Sequence, residues 1–155
     1  DRINAGCRDG ELDVRGVSHR GYFASITDFK SYHDANMDLI DYKTATDLFH
    51  DNWPIYTRTN NSCPTHYFDT ANVSNSVISN GSMIEGTVEN SIVGRGCTIK
   101  KGAVIKNCVV LADCTIGENV HIENLVVDKH AKITHAKEII SPAGEPGYIK
   151  RNDTL

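Results

Sequence analysis

The most regular feature of the chain is a ladder of β-branched residues in its second half. Val73, Ile78, Ile84, Val88, Val93, Ile99, Ile105, Val110, Ile116, Ile122, Val127, Ile133 and Ile139 follow one another at steps of 5, 6, 4, 5, 6, 6, 5, 6, 6, 5, 6 and 6. A helix would place apolar residues three and four apart, and a half-buried strand would alternate. A step near six, three times per 17 residues, describes a coil with three short walls. Val and Ile suit extended backbone, and each points inward. Two residues before most ladder members stands a small side chain: Ala71, Ser76, Ser82, Gly86, Ser91, Cys97, Ala103, Cys108, Cys114 and Ala131. These are expected where the chain bends at a corner. Val120, Leu125 and Lys137 are the exceptions. Successive coils would stack about 4.8 Å apart, the spacing of paired strands, so equivalent residues form columns. Residues 71–140 supply about four coils. The coil containing Ile84 and Val88 is two residues short, which predicts a tightened wall there.

Other columns repeat at the same spacing. Asn75, Asn90, Asn107 and Asn124 recur at intervals of 15, 17 and 17, an asparagine ladder expected to hydrogen-bond to itself. Cys97 and Cys114 share a column and Cys108 stands in another; all three read as small corner residues. The pattern [Ile/Val]-Gly-x-x-[small]-x, clearest at Ile116-Gly117-Glu118-Asn119-Val120-His121, resembles the hexapeptide repeat family. That resemblance, and not the spacing, implies a left-handed parallel β-helix, since crossovers are right-handed as a rule.

Upstream the pattern changes. A short strand is expected within Glu11–Val17 and a short buried strand at Gly21–Ile26. Thr27 or Asp28 is placed to cap a helix. Phe29, Tyr32, Asn36 and Leu39 share one face at helical spacing, which predicts an amphipathic helix over 28–42. Thr44–His50 adds a turn or two, Trp53–Thr57 is extended because Pro54 disfavours helix before it, and 58–70 is a loop entering the β-helix. The expected organisation is therefore 1–42 as the end of a preceding domain, 43–70 as linker, 71–140 as β-helix and 141–155 as C-terminal tail.

Composition changes little. The 155 residues carry 39% hydrophobic and 23% charged side chains and a net charge of −4, ordinary for a soluble chain and no case for nucleic acid or an anionic membrane. No apolar run approaches membrane-spanning length. The chain starts at Asp1 without Met and reads as a fragment of a longer protein. Five cysteines with no Cys-x-x-Cys pair suggest neither a disulfide framework nor a zinc knuckle, and a reducing cytoplasm is the expected setting. Asn60, Asn72 and Asn80 head Asn-x-Ser sequons, for which chance occurrence is the simpler account.

The order Gly21-Tyr22-Phe23, then Ser31-Tyr32-His33-Asp34-Ala35-Asn36-Met37-Asp38-Leu39-Ile40, then Trp53-Pro54-Ile55-Tyr56-Thr57-Arg58, then the β-helix, resembles the C-terminal part of glucose-1-phosphate adenylyltransferase. The resemblance covers roughly residues 15–140. It implies a mainly β chain in which a small α/β remnant of a nucleotidyltransferase domain precedes the β-helix. It also implies a role in bacterial glycogen synthesis, in which ATP and glucose 1-phosphate give ADP-glucose and pyrophosphate. The family's glycine-rich phosphate loop has no counterpart here. Active members carry Gly-Tyr-Trp-x-Asp-[Val/Ile]-Gly-Thr, whose Asp helps hold magnesium; here Ser25 takes that position and Thr27-Asp28 replace the Gly-Thr. A hydroxyl cannot stand in for a carboxylate on a hard cation, so the resemblance points to the non-catalytic sister subunit, the GlgD type. Asp28 is the one nearby carboxylate that could restore a metal contact. No cofactor is expected within this chain, and magnesium only in the catalytic partner subunit. Partners are expected to be that catalytic subunit, a second copy through the β-helix, or both. His66 stands where catalytic relatives place an effector-binding Lys, and it and Arg58 are the candidate anion contacts. Two alternatives remain: an active adenylyltransferase and a β-helix acyltransferase, although no loop interrupts 71–140. A zinc site on His121, His130 and His135 is disfavoured because the three occupy different repeat offsets.

Overall fold

The computed structural model describes residues 2–50, 52–57 and 59–155. Three parallel sheets form the walls of a β-solenoid. The first wall stacks β1 (His66–Tyr67), β4 (Met83–Ile84), β7 (Thr98–Ile99), β10 (Thr115–Ile116) and β13 (Lys132–Ile133). The second stacks β2 (Asn72–Ser74), β5 (Thr87–Glu89), β8 (Val104–Lys106), β11 (His121–Glu123) and β14 (Glu138–Ile140). The third stacks β3 (Val77–Ile78), β6 (Ile92–Val93), β9 (Val109–Val110), β12 (Leu125–Val127) and β15 (Gly147–Ile149).

The register realises the ladder. Ile84 pairs with Ile99, Ile99 with Ile116 and Ile116 with Ile133. Val88 pairs with Ile105 and Ile105 with Ile122, while Val93 pairs with Val110 and Val110 with Val127. From Ile84 to Ile133 every ladder member is fully buried. Val73, Ile78 and Ile139 belong to the end coils and are half-buried. The position two before each ladder residue also faces inward: Cys97, Ala103, Cys108, Ala131, and even Val120 and Leu125, are buried. Each wall therefore sends two side chains into the core, and small residues there leave room for the β-branched ones. Lys137 is exposed, and Ala136 packs on the core in its place.

The short coil is explained by the register. Ile84 pairs with Ile99 and Val88 with Ile105, so Gly86 crosses where Lys101-Gly102 make an extra turn in the next coil. A Cβ on Gly86 would lie 2.5 Å from the Ala103 carbonyl oxygen and 2.8 Å from that of Lys100. Gly86→Ala is expected to cost about 2 kcal/mol through this overpacking, read as a lower denaturation midpoint with an unchanged m-value.

Several expectations are corrected. Residues 141–155 are not a tail. β15 adds a fifth rung to the third wall, Lys132 bridges Thr154, and the Thr134 and His135 amides donate to the Leu155 carbonyl at 2.6 and 2.7 Å. Thr154 and Leu155 lie against the first wall alone, and β14 and β15 have no described strand beyond them. Nor is the linker wholly linker, since β1 begins the first wall at His66. The strands expected within Glu11–Val17 and at Gly21–Ile26 do not form, because no described strand lies beside them to complete their hydrogen bonds. Phe23 and Ile26 are exposed. A short helix, α1 (Arg2–Arg8), stands near the start, where the sequence suggested little.

The amphipathic helix is real but shorter. It forms as α2 (Phe29–Met37), with a 3-10 extension at Asp38–Ile40. Asp41 then turns extended and caps α3 (Tyr42–Leu48) by accepting from Thr44 N at 2.8 Å. α2 docks on the outer face of the third wall. His33 Nε2 lies 3.0 Å from the Asn107 carbonyl oxygen, and Phe29 meets Tyr148 edge to face with centroids 5.6 Å apart. Val109 and Val126, outward-facing residues of that wall, are buried. Both ends of the solenoid leave strand edges: beyond β14 and β15 no described strand lies, Ile140 and Tyr148 are about half exposed, and among the described residues only Thr154 bridges to β13. β1, β2 and β3 have no described strand beyond them, and Tyr67 and Val77 are 52% and 42% exposed.

Candidate functional site

Among the described residues, those singled out upstream do not assemble into a site. Ser25 is exposed in irregular chain before α2. Asp28 is the cap of α2: its side chain accepts from Ser31 N at 2.7 Å, while Ser31 Oγ bonds back to the Asp28 amide. The bond from the Ser31 backbone, helped by the Ser31 side chain, holds the Asp28 carboxyl below its ordinary range. This is the expected capping role. His66 opens β1 as an exposed residue, its ring edge to face with Phe68 at 4.5 Å. Arg58 lies outside the described residues.

The corner columns hold no chemistry of their own. Cys97 Sγ donates to the Leu111 carbonyl and Cys114 Sγ to that of Asp128, both at 3.1 Å. The neighbouring Cys114 thiol and burial push the Cys97 thiol well above its usual range, and burial pushes Cys108 up to about 12. Thiols held neutral in this way are poor nucleophiles. His121 lies on the second wall, 3.4 Å from Glu138, whereas His130 sits at a corner, 3.7 Å from Asp113. Among the described residues no group of three or more His, Cys, Asp or Glu is arranged to hold a metal ion.

What the fold does assemble is a basic cleft of about 530 Å³ where the third wall turns into the first. Arg95, Lys129, His130 and Arg151 line it with Thr59 and Asn60, and Asp113 is the one acid. The corner is a backbone ladder. Gly96 N donates to the Asn80 carbonyl, Asp113 N to that of Arg95, His130 N to that of Ala112, and Asn152 N to that of Lys129, at 2.8–3.3 Å. Each donor has positive φ, from 61° to 67°. The residue before each donor stands in one column, so Arg95, Lys129 and Arg151 project from the same corner. Cations gathered with hydroxyl and amide donors suit an oxyanion such as phosphate. Sequence reasoning missed this cluster. Arg95 and Lys129 are two 17-residue coils apart, which was a usable signal. Arg151 breaks the spacing, because the segment between β14 and β15 lengthens the last coil.

No helix of the described residues is long and apolar enough to cross a membrane. The GlmU-like, C-terminal hexapeptide family model matches residues 64–142. Glycogen biosynthesis protein GlgD of Bacillus subtilis is 36% identical over 140 residues, 90% of this chain and 41% of that protein. Glucose-1-phosphate adenylyltransferase of Geobacillus stearothermophilus is 42% identical over 86 residues, 56% of this chain and 22% of that protein. The enzyme of that name from Bacillus mycoides is 36% identical over 107 residues, 69% of this chain and 28% of that protein. The chain thus spans between about a fifth and two fifths of the length of these relatives. The resemblance to glucose-1-phosphate adenylyltransferase is therefore present in comparisons over 56% and 69% of this chain as well as in the motifs. With its three-walled stack of Val and Ile columns and a family match over the coils themselves, this chain belongs to the GlmU-like C-terminal hexapeptide family.

Proposed function

We propose that this chain is the C-terminal β-helix region of a regulatory, non-catalytic subunit of the cytoplasmic ADP-glucose pyrophosphorylase of glycogen biosynthesis, and that it mediates subunit association. The observation that carries the association is the set of unpaired strand edges on the solenoid's first coil. β1, β2 and β3 have no described strand beyond them and expose strand edges beside Tyr67 and Val77. Free edges and an apolar rim are a surface for another polypeptide. The non-catalytic reading is supported by Ser25 at the position of the metal-binding Asp, by Asp28 being engaged as a helix cap, and by similarity to GlgD over 90% of the chain. The test is an adenylyltransferase assay of the full-length protein alone, as Ser25→Asp, and mixed with a catalytic subunit, alongside sedimentation of the mixture. Inactivity alone and co-sedimentation with altered activity in the mixture are expected. Substantial activity of the unmodified protein alone would overturn the reading in favour of an active adenylyltransferase.

The basic cleft is the place for regulation by an anion. Replacing both Lys129 and Arg151 with Ala is expected to weaken inorganic phosphate binding at least about tenfold. His66→Ala is expected to leave it unchanged, because His66 does not line the cleft. Calorimetry at low and raised salt checks both.

A further inference from the structure

Asn80-Gly81 is the one Asn-Gly pair in the sequence, and it occupies the bottom of the column that forms the basic cleft. In the coils above, the amide at the position equivalent to Gly81 is engaged: those of Gly96, Asp113, His130 and Asn152 each donate to the carbonyl one coil below. Beneath Gly81 lies Ser62 of the entering segment, close to where a Gly81 side chain would stand, and not a coil carbonyl. Among the described residues no acceptor takes the Gly81 N–H. Asn80 is exposed, its Nδ2 donating to Ser62 Oγ at 2.6 Å, and Gly81 has φ +81° and no side chain to shield its nitrogen. The upper coils have Arg95, Ala112, Lys129 and Arg151 at the Asn80 position, so within this column only the first coil joins a side-chain amide to an unengaged backbone nitrogen.

We propose that Asn80 is a site of spontaneous deamidation through Gly81, and that the carboxylate it gains weakens anion binding in the cleft; the second half rests on the phosphate reading above. The Gly81 nitrogen attacks Asn80 Cγ. The N–Cγ bond forms, the Cγ–Nδ2 bond breaks, and ammonia leaves with the Gly81 amide proton. The resulting succinimide takes up one water, and opening at one carbonyl or the other gives aspartate or isoaspartate. Gly96 N donates to the Asn80 carbonyl at 3.3 Å, which stacks residue 80 one rung below Arg95. A negative charge there opposes a bound anion and attracts the Arg95 guanidinium.

The protein is aged at mildly alkaline pH and physiological temperature, and peptides are mapped by mass and by isoaspartate-specific methylation. The peptide carrying Asn80 is expected to exchange its amide for a carboxyl ahead of the other asparagines, and Asn80→Ser to abolish the change. The aged protein and Asn80→Asp are expected to bind inorganic phosphate about threefold more weakly, with the difference fading at high salt. An Asn80 that stays intact in the folded protein while the same peptide deamidates in urea overturns the modification. Modification with unchanged phosphate affinity overturns the coupling. If the fresh protein takes up no phosphate, the cleft reading and the coupling fall together, while the mass map still decides the modification.

Discussion

Ile116→Ala is expected to lower the unfolding free energy by about 3–4 kcal/mol. Ile116 is fully buried in the middle of the first wall, with Ile99 directly below and Ile133 directly above. The wall cannot collapse into the space left, because both neighbouring strands hold their register by backbone hydrogen bonds: Thr98 N donates to Cys114 O and Thr115 N to Ala131 O, at 2.9 and 3.0 Å. The lost transfer energy and the residual cavity therefore both count. The measurement is equilibrium denaturation beside Thr115→Ala, whose side chain faces outward from the same strand and should cost under about 0.5 kcal/mol. A solenoid is stable through contacts between neighbouring coils. The midpoint should therefore fall for the whole stack, and a loss confined to one end would contradict the single continuous core found here.

The second large effect is expected at Asn107, where two demands meet. Its φ of 50° lies in the left-handed region, as do those of Asn75, Asn90 and Asn124 in the same column. Its side-chain oxygen accepts from Asn90 Nδ2 at 2.7 Å, as Asn90 Oδ1 accepts from Asn75. Asn tolerates this backbone, whereas a β-branched residue does not. Asn107→Gly keeps the backbone free of strain and removes the ladder bond, at a cost of about 1–1.5 kcal/mol. Asn107→Val removes the bond and adds strain, for about 3 kcal/mol in total. The gap between the two variants in urea midpoints separates hydrogen bonding from conformation. Equal losses would show that the ladder alone matters. The same position receives α2, since His33 Nε2 meets the Asn107 carbonyl, so Asn107→Val should also loosen the helix from the wall. Faster amide exchange in α2 would show it.

Particular residues show how much was legible. The inward columns could be read because each coil repeats one local instruction. A β-branched residue, a small residue two before it and an asparagine at one corner recur every 15 or 17 positions, and stacking turns that period into contact. The short step from Ile84 to Val88 even located the tight crossing at Gly86. The start of α2 was legible from Asp28, since a cap acts within four residues. Its end was not, because Asp41 caps a second helix and cuts the first short, although the apolar spacing runs on past it.

Resemblance to a known family pointed to Ser25, but Ser25 gathers no partners in the described structure. The strand expected at Gly21–Ile26 failed for a reason no local pattern can carry: a strand exists only beside another, and no described strand lies there. The return of residues 147–149 to the third wall was equally hidden, since the longer segment before β15 destroys the period while the pairing of Ile149 with Val127 restores it.

The sequence by itself determined the walls, the core and the asparagine column, because those depend on a short period repeated in register. Only the tertiary structure decided what stands outside the core. It gathered Arg95, Lys129 and Arg151 on one corner, laid α2 across the third wall, returned residues 147–149 to that wall as a fifth rung, and left the Gly81 nitrogen without the backbone acceptor that its equivalents in the later coils have. Each of these depends on which segment lies next to which in space, and stacking fixes that only when the whole chain is wound.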